Sequence, residues 1–311
     1  MKIKHLLQLA LGVLLLASGA ARAQFRVVGY VPAWRGAVDR AQLAQLTHVN
    51  YAFLKPMATG GLLPIINPAK LQDLVAQAHA SGVKVLVSVG GWNDGDHSAF
   101  DAIGASAGLI SIFSANLLNF ARQYNLDGID IDWEHPDART ASSYAALMQQ
   151  LAADLHAQKK LLTAAVAGGG WAGAGVMNSV FSNVDFLNLM AYDNPPPAHS
   201  TYAAAVQSLA YWEGRGLPAS KTVLGVPFYG QSSGEAFAAL VARGADPRAD
   251  LLDNIGYNGL VTIESKTNLA LNQAGGVMIW ELTQDAAGPN SLLSAITRAV
   301  ARRPHAAPPA R

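Results

Sequence analysis

The chain has 311 residues, of which 51% are hydrophobic and 14% charged, with a formal net charge of +1 and no cysteine. This composition predicts a large apolar core in one large domain or two small ones. It excludes disulfides, thiolate metal sites, cysteine nucleophiles and a lipidated cysteine anchor, and the balanced charge argues against a nucleic-acid partner.

Residues 1–23 have the pattern of a secretory signal peptide. Lys2 and Lys4 precede an apolar run from Leu6 to Ala17, and Ala21-Arg22-Ala23 forms a small-x-small cleavage site. The run is shorter than the ~20 residues that span a bilayer; an uncleaved N-terminal anchor is the alternative. Cleavage starts the mature chain near Gln24 and places it outside the cytoplasm, secreted or periplasmic. Taking Lys2, Lys4 and Arg22 from the 22 basic residues leaves 19 against 21 acidic ones. No other stretch reads as a membrane span, so no membrane contact is expected after cleavage, and a monomer is expected.

From Phe25 onward, short apolar runs alternate with helical patterns. Phe25 to Trp34 reads as strand one, followed by helical spacing over Val38 to Leu46. Thr47 to Pro56 is strand two, and Ala69 to Ala80 is an amphipathic helix stopped at Ser81-Gly82. Val83 to Trp92 is strand three and Gly108 to Tyr124 a helix. A fourth strand begins after Asn125, and Ala141 to Lys159 is helical. Strands five to eight are Leu161 to Ala167, Val184 to Tyr192, Thr222 to Gly230 and Gly276 to Leu282. Helices fall at Tyr202 to Glu213, Glu235 to Arg243, Thr262 to Gln273 and Asn290 to Arg302. Residues 304–311 form a Pro/Ala-rich tail expected to be unstructured.

Eight βα units in one domain over residues 24–303 predict an α/β fold, a (β/α)8 TIM barrel, whose strands are apolar throughout because both faces are covered. A doubly wound sheet is the alternative, but no G-x-G-x-x-G follows the first strand. In a barrel the active site lies at the C-terminal strand ends.

The fourth strand carries the chemistry. In Asp127-Gly128-Ile129-Asp130-Ile131-Asp132-Trp133-Glu134, acids alternate with apolar residues, so Asp130, Asp132 and Glu134 share one face. Enclosed carboxylates so close cannot all ionise freely, and need a shared proton, a metal or a hydrogen-bond network. Oxygen ligands of this kind suit Mg or Ca. The other strand ends, however, offer aromatic and small groups rather than further ligands: Tyr30, Tyr51 and Phe53, Ser88 to Trp92, Met190 to Asp193, Phe228-Tyr229 and Trp280-Glu281. Sugar rings stack on aromatic faces, so no metal or cofactor is expected and a glycan is.

The acidic stretch closely resembles the D-G-x-D-x-D-x-E signature of family 18 glycoside hydrolases, the chitinase family. Gly29-Tyr30, Ser88-Val89-Gly90-Gly91, Met190-Ala191-Tyr192-Asp193 and Trp280 resemble that family's motifs of strands one, three, six and eight, in the right order. The resemblance implies substrate-assisted retaining hydrolysis of β-1,4-linked N-acetylglucosamine polymers, an exception to the two-carboxylate scheme. It casts Glu134 as general acid, Asp132 as orienter of the substrate acetamido group, and Tyr192 as donor to the acetamido oxygen. Asp130 is expected to share a proton with Asp132. Tyr30, Phe53, Ser88, Gly91, Trp92, Met190, Asp193, Tyr229 and Trp280 are expected to surround the sugar. Gly168 to Trp171 is either a binding lip or a turn, and Pro195 to Pro197 maps to no sugar contact.

Two other functions stay open. One is an endo-acting enzyme on N-glycan cores or peptidoglycan. The other is a non-catalytic chitin-binding lectin, against which the intact Glu134 argues. Many family members insert an α+β domain between strands seven and eight. The segment from Gly230 to Gly276 is too short for a sheet with its own core, so an open groove and endo-type cleavage are expected.

Overall fold

The computed structural model describes residues 24–231 and 233–302; the expected signal peptide and C-terminal tail lie outside the described residues. Eight parallel strands close into a barrel. They are β1 (Arg26–Pro32), β2 (His48–Leu54), β3 (Lys84–Gly90), β4 (Gly128–Asp132), β5 (Leu161–Ala167), β6 (Phe186–Met190), β7 (Thr222–Pro227) and β8 (Gly276–Trp280). Each pairs with its neighbours in sequence, and β8 closes on β1 through the Arg26–Gly276 to Gly29–Ile279 register. The (β/α)8 expectation is met.

Two apolar layers follow from the pleat. Val28, Tyr30, Phe186, Val223 and Met278 fill the barrel interior. Outward residues such as Val87, Ile129 and Ile131 pack under the surrounding helices with Phe113, Leu117, Leu147 and Leu151. This double coverage is why the strands are buried at nearly every position and largely apolar outside the inward polar row.

Differences from expectation lie at element ends. The helical spacing over Val38 to Leu46 yields only one turn, Arg40–Leu43, held by a reciprocal Asp39–Gln42 capping box before the chain must enter β2. A helix over Ser98–Gly104 was not legible; it exists because Phe100 stacks on Trp133, with centroids 5.0 Å apart. The run from Thr222 to Gly230 is broken after Pro227, and Tyr229–Gly230 leaves the barrel to pair with Glu235–Ala236. Between that ribbon and β8 lie a short helix (Phe237–Ala242), the two-residue strands Leu251–Leu252 and Ile255–Gly256, and a helix over Leu260–Gln273. Among the described residues no inserted domain lies between β7 and β8. Among the described residues no single helix is long and apolar enough to cross a membrane.

Candidate active site

The alternation on β4 divides its side chains as the sequence requires. Ile129, Ile131 and Trp133 are buried outside the barrel, and Trp133 is clamped between Phe100 and Tyr144. The acids of the opposite row take three different environments.

Asp130 lies deepest and is fully buried. Its Oδ2 accepts from Tyr30 OH at 2.7 Å and Ser88 Oγ at 2.8 Å. Its Oδ1 accepts from Thr163 Oγ1 at 2.5 Å and Asn188 Nδ2 at 3.3 Å. Four strands thus donate to one carboxylate. Burial raises its pKa, and the four donors pull the other way. The four donors all point at Asp130, and the repulsion it exerts helps to raise the pKa of Asp132.

Asp132, one layer higher, is buried and its Oδ1 has no hydrogen-bond partner. Desolvation, then repulsion from Glu134 and Asp130, pushes its pKa well up. Glu134 is at the mouth, with a side chain only 15% exposed. Burial and then the nearby Asp193 raise its pKa to about 7, while Lys55 opposes the shift. His135 Nε2 lies 3.6 Å from Glu134 Oε2. Burial and the neighbouring His97 lower the His135 pKa, so the imidazole is a neutral neighbour rather than a counter-ion.

The glycines at the end of β3 explain why this strand end is small. Gly90 has φ +112° and Gly91 φ +83°. A Cβ on Gly90 would collide with the Asp132 carbonyl, and one on Gly91 with the Phe53 ring. The Gly91 amide donates to Asp132 O at 2.8 Å. Lys55 at the end of β2 donates to Gly90 O at 2.6 Å and lies over the Phe53 ring.

Tyr192 comes from the loop after β6 and lines both lobes, its hydroxyl donating to Met278 Sδ at 3.9 Å. The neighbouring Asp193 accepts from Tyr229 OH at 2.6 Å. Opposite, Trp280 stacks on Phe53 with centroids 5.5 Å apart, and Trp34 continues the aromatic series at 5.9 Å from Phe53. The Ala52–Phe53, Glu134–His135 and Trp280–Glu281 peptide bonds are cis.

These groups line a groove with two lobes that meet at Glu134, His135, Met190, Tyr192 and Asp193. The first, about 600 Å³, is walled by Tyr30, Phe53, Asp132, Trp280 and the exposed Trp34 and Trp92. The second, about 590 Å³, is walled by Gly168 to Trp171 and by Gln207, Ser208 and Tyr211 of the helix Tyr202–Gly214. Gly168 and Gly169 bend into the short helix Gly170–Ala174, and the segment from Gly168 to Trp171 forms a lip of the second lobe, with Trp171 78% exposed.

Several expected residues are placed elsewhere. Asp130 and Ser88 are buried beneath the groove and bonded to each other, and Tyr229 reaches the site through its bond to Asp193 and an edge-on contact with the Tyr192 ring. Gly91 lines a small side cavity of about 150 Å³ shared with Lys55 and Glu134. The sequence reading missed Lys55, His135, Trp34, Thr163 and Asn188. For Thr163 and Asn188 a signal existed: each is a lone polar residue in an apolar strand at an inward position. Among the described residues no group of three or more His, Asp or Glu is arranged to hold a metal ion.

A family model of Glycosyl hydrolases family 18 matches residues 26–285. The chain is 30% identical over 238 residues to a chitinase-like effector of Moniliophthora roreri, covering 65% of this chain and 57% of that protein. It is 25% identical over 284 residues to chitinase B of Serratia marcescens, covering 68% of this chain and 56% of that one. A probable endochitinase of Caenorhabditis elegans is 32% identical over 55% of this chain and 31% of its own length. The chain thus spans roughly a third to three-fifths of these curated relatives. The structure is similar to a chitinase of Bacteroides thetaiotaomicron, with TM-score 0.80 and 25% identity over 90% of this chain and 98% of that one. It is also similar to the chitinase ChiB of Flavobacterium johnsoniae, with TM-score 0.78 and 28% identity over 89% and 94%.

Proposed function

The chain belongs to glycoside hydrolase family 18, and from that premise we propose that it is a catalytically competent, exported hydrolase of β-1,4-linked N-acetylglucosamine polymers, chitin or its oligosaccharides. The observation that carries this reading is the pairing of Glu134, shielded and with its pKa raised to about 7, with Asp132, whose buried Oδ1 lacks a donor. A group held near neutrality is half protonated where a general acid must work. A buried acceptor without a donor costs about 1–3 kcal/mol, and a ligand N–H would relieve it.

The steps follow from these groups. A sugar in the first lobe lays its apolar face on Trp280. Its acetamido N–H donates to Asp132, and Tyr192 OH, without a strong partner of its own, donates to the acetamido oxygen. Glu134 protonates the glycosidic oxygen as that acetamido oxygen attacks the anomeric carbon. Asp132 then stabilises the cyclic oxazolinium ion. Glu134, now a carboxylate, takes a proton from the incoming water, which opens the ring with retention. Asp130 touches no substrate; with Tyr30, Ser88, Thr163 and Asn188 it fixes the floor on which Asp132 rests. Sugars on either side of the cleaved bond occupy the two lobes, consistent with an endo-acting enzyme. Lys2, Lys4, the apolar run and Ala21-Arg22-Ala23 support export.

Proton NMR of fresh products from chitin oligosaccharides, cellulose oligosaccharides, a glycoprotein and peptidoglycan tests the reading. Cleavage of the chitin series alone, with the β-anomer formed first, is expected. An initial α-anomer, or efficient cleavage of cellulose oligomers, would remove the acetamido mechanism. Preference for the glycoprotein or peptidoglycan would transfer the activity to those polymers. Binding without cleavage at any pH would leave a lectin.

A further inference from the structure

The loop from Ala191 to Ser200, which carries Tyr192 and Asp193, is fastened at its far end by a lysine that the hydrolytic steps do not use. Lys266, on the helix Leu260–Gln273, is completely buried. Its Nζ donates to Ser200 O at 2.6 Å, Ser200 Oγ at 2.6 Å and Asn258 Oδ1 at 2.7 Å. An ammonium has three N–H bonds, and all three are used. Asn258 Nδ2 closes the ring by donating to Ser200 O at 2.8 Å. Ser200 Oγ spends its own proton on Ala191 O at 2.6 Å, the carbonyl that leads directly into Tyr192. The outermost ends of the loop are thereby joined through the Ser200 hydroxyl, which Lys266 holds, while Asn194 N and Nδ2 donate to His199 O at 2.8 Å and Asp193 N to His199 Nδ1 at 3.3 Å further in.

The charged and titratable groups around Lys266 offer it no salt bridge. Asp250 is the acid nearby, but its oxygens accept from Gly259 N at 2.9 Å and Thr262 Oγ1 at 2.6 Å. Tyr257 donates its hydroxyl to Asp246 O, and Tyr229 donates to Asp193. His199, in the loop, is buried and its Nδ1 accepts from Asp193 N at 3.3 Å; burial and then Lys266 lower its pKa to about 4, so it stays neutral. Without a carboxylate, burial lowers the Lys266 pKa to about 7.

We propose that Lys266 is a positioning residue: through Ser200 it sets the backbone at Ala191 and with it the placement of Tyr192 and Asp193 in the groove. Losing its proton releases this hold. A neutral amine keeps two N–H donors for three acceptors, and its new lone pair competes with Ala191 O for the Ser200 hydroxyl proton. The loop is therefore firm when Lys266 is charged and loosens as it deprotonates. The consequence for turnover rests on the hydrolytic reading above; the loosening does not.

Amide hydrogen exchange of the full chain, corrected for intrinsic base catalysis, tests the hold without any ligand. Between about pH 5.5 and 8.5 the wild-type amides from Ala191 to Ser200 are expected to lose protection by roughly threefold to tenfold, while β5 (Leu161–Ala167) stays unchanged. Lys266→Met fills similar volume without donors, and Ser200→Ala removes the shared hydroxyl with little volume change. Either variant is expected to exchange this segment about tenfold faster than wild type at low pH, with no pH step. A wild-type segment without a pH step, variants that match wild type, or faster exchange spread equally into β5 would each overturn the proposal. On chitotetraose, kcat/KM of both variants is expected to fall about tenfold because the groups are misplaced. Unchanged kcat/KM despite faster exchange would also overturn the positioning role. If the wild type itself fails to cleave chitotetraose, the hydrolytic reading falls and the exchange result still decides the hold.

Discussion

Glu134 shows how one residue takes its properties from its surroundings. As a free side chain it is an ordinary acid of pKa ~4.3. Here burial and then Asp193 raise that value to about 7. Two outcomes follow. Glu134→Gln keeps the shape but cannot transfer a proton, so kcat should drop at least ~10²-fold while oligosaccharide affinity, measured by calorimetry, is retained. Turnover near the wild-type rate would remove Glu134 from its role. In the wild type, kcat/KM should fall as pH rises through about 7, where the acid is lost. The same shift has a sign for stability. The folded state holds the proton more tightly than the unfolded chain, so the contribution is fully present below the unfolded pKa and is lost as pH rises through the folded one. Glu134→Gln should therefore be more stable than wild type near pH ~8, by about 1–3 kcal/mol, and the gap should close near pH ~4. Urea unfolding at both pH values checks this; a gap of equal size at both would contradict it.

At the level of elements, strands were more legible than what holds them in register. Seven strands could be placed because their apolar runs report double burial and the fourth from its alternation, and β5 was placed to the residue. Helices that close on long-range contacts were less visible: Ser98–Gly104 depends on Phe100 meeting Trp133, a pair 33 positions apart in sequence that no local pattern encodes. The acidic row was legible as alternation, and its family resemblance gave Tyr192 and Trp280. The division of labour within the row was not, because it depends on donors from β1, β3, β5 and β6 converging on Asp130. That convergence makes a further outcome testable. Asp130→Ala would leave the Tyr30, Ser88 and Thr163 hydroxyls and the Asn188 amide without their acceptor inside the barrel. The variant should lose about 2–5 kcal/mol of stability. A change in urea midpoint without a change in slope would measure it. A loss below ~1 kcal/mol would mean that the interior donors find other partners and that Asp130 does not organise the barrel floor.

At the scale of the whole molecule, the length of one connection decides the shape of the groove. From Pro227 to Gly276 the chain builds a two-residue ribbon, a short helix, a second ribbon and the helix Leu260–Gln273 that returns to β8. Among the described residues none of these forms a sheet with a core of its own that could rise into a wall. Both lobes of the groove remain open to the surface, and exposed Trp34, Trp92 and Trp171 stand along them rather than deep inside. On the proposed hydrolytic reading, a polymer would be laid in from above at any point along its length and would leave after each cut. Holding power must come from stacking on Trp280 and Phe53 and on the rim aromatics. Each stacked aromatic contributes about 0.5–1.5 kcal/mol beyond its buried area, too little to retain a chain through many cycles. Cleavage of long soluble glycol-chitin should accordingly lower the viscosity early and release mixed oligomers. Viscometry alongside chromatographic analysis of products within the first percent of conversion is the measurement. Viscosity that holds while nearly pure disaccharide accumulates would show that the chain is threaded from an end and kept, and would contradict the open groove as the determinant of the cutting pattern.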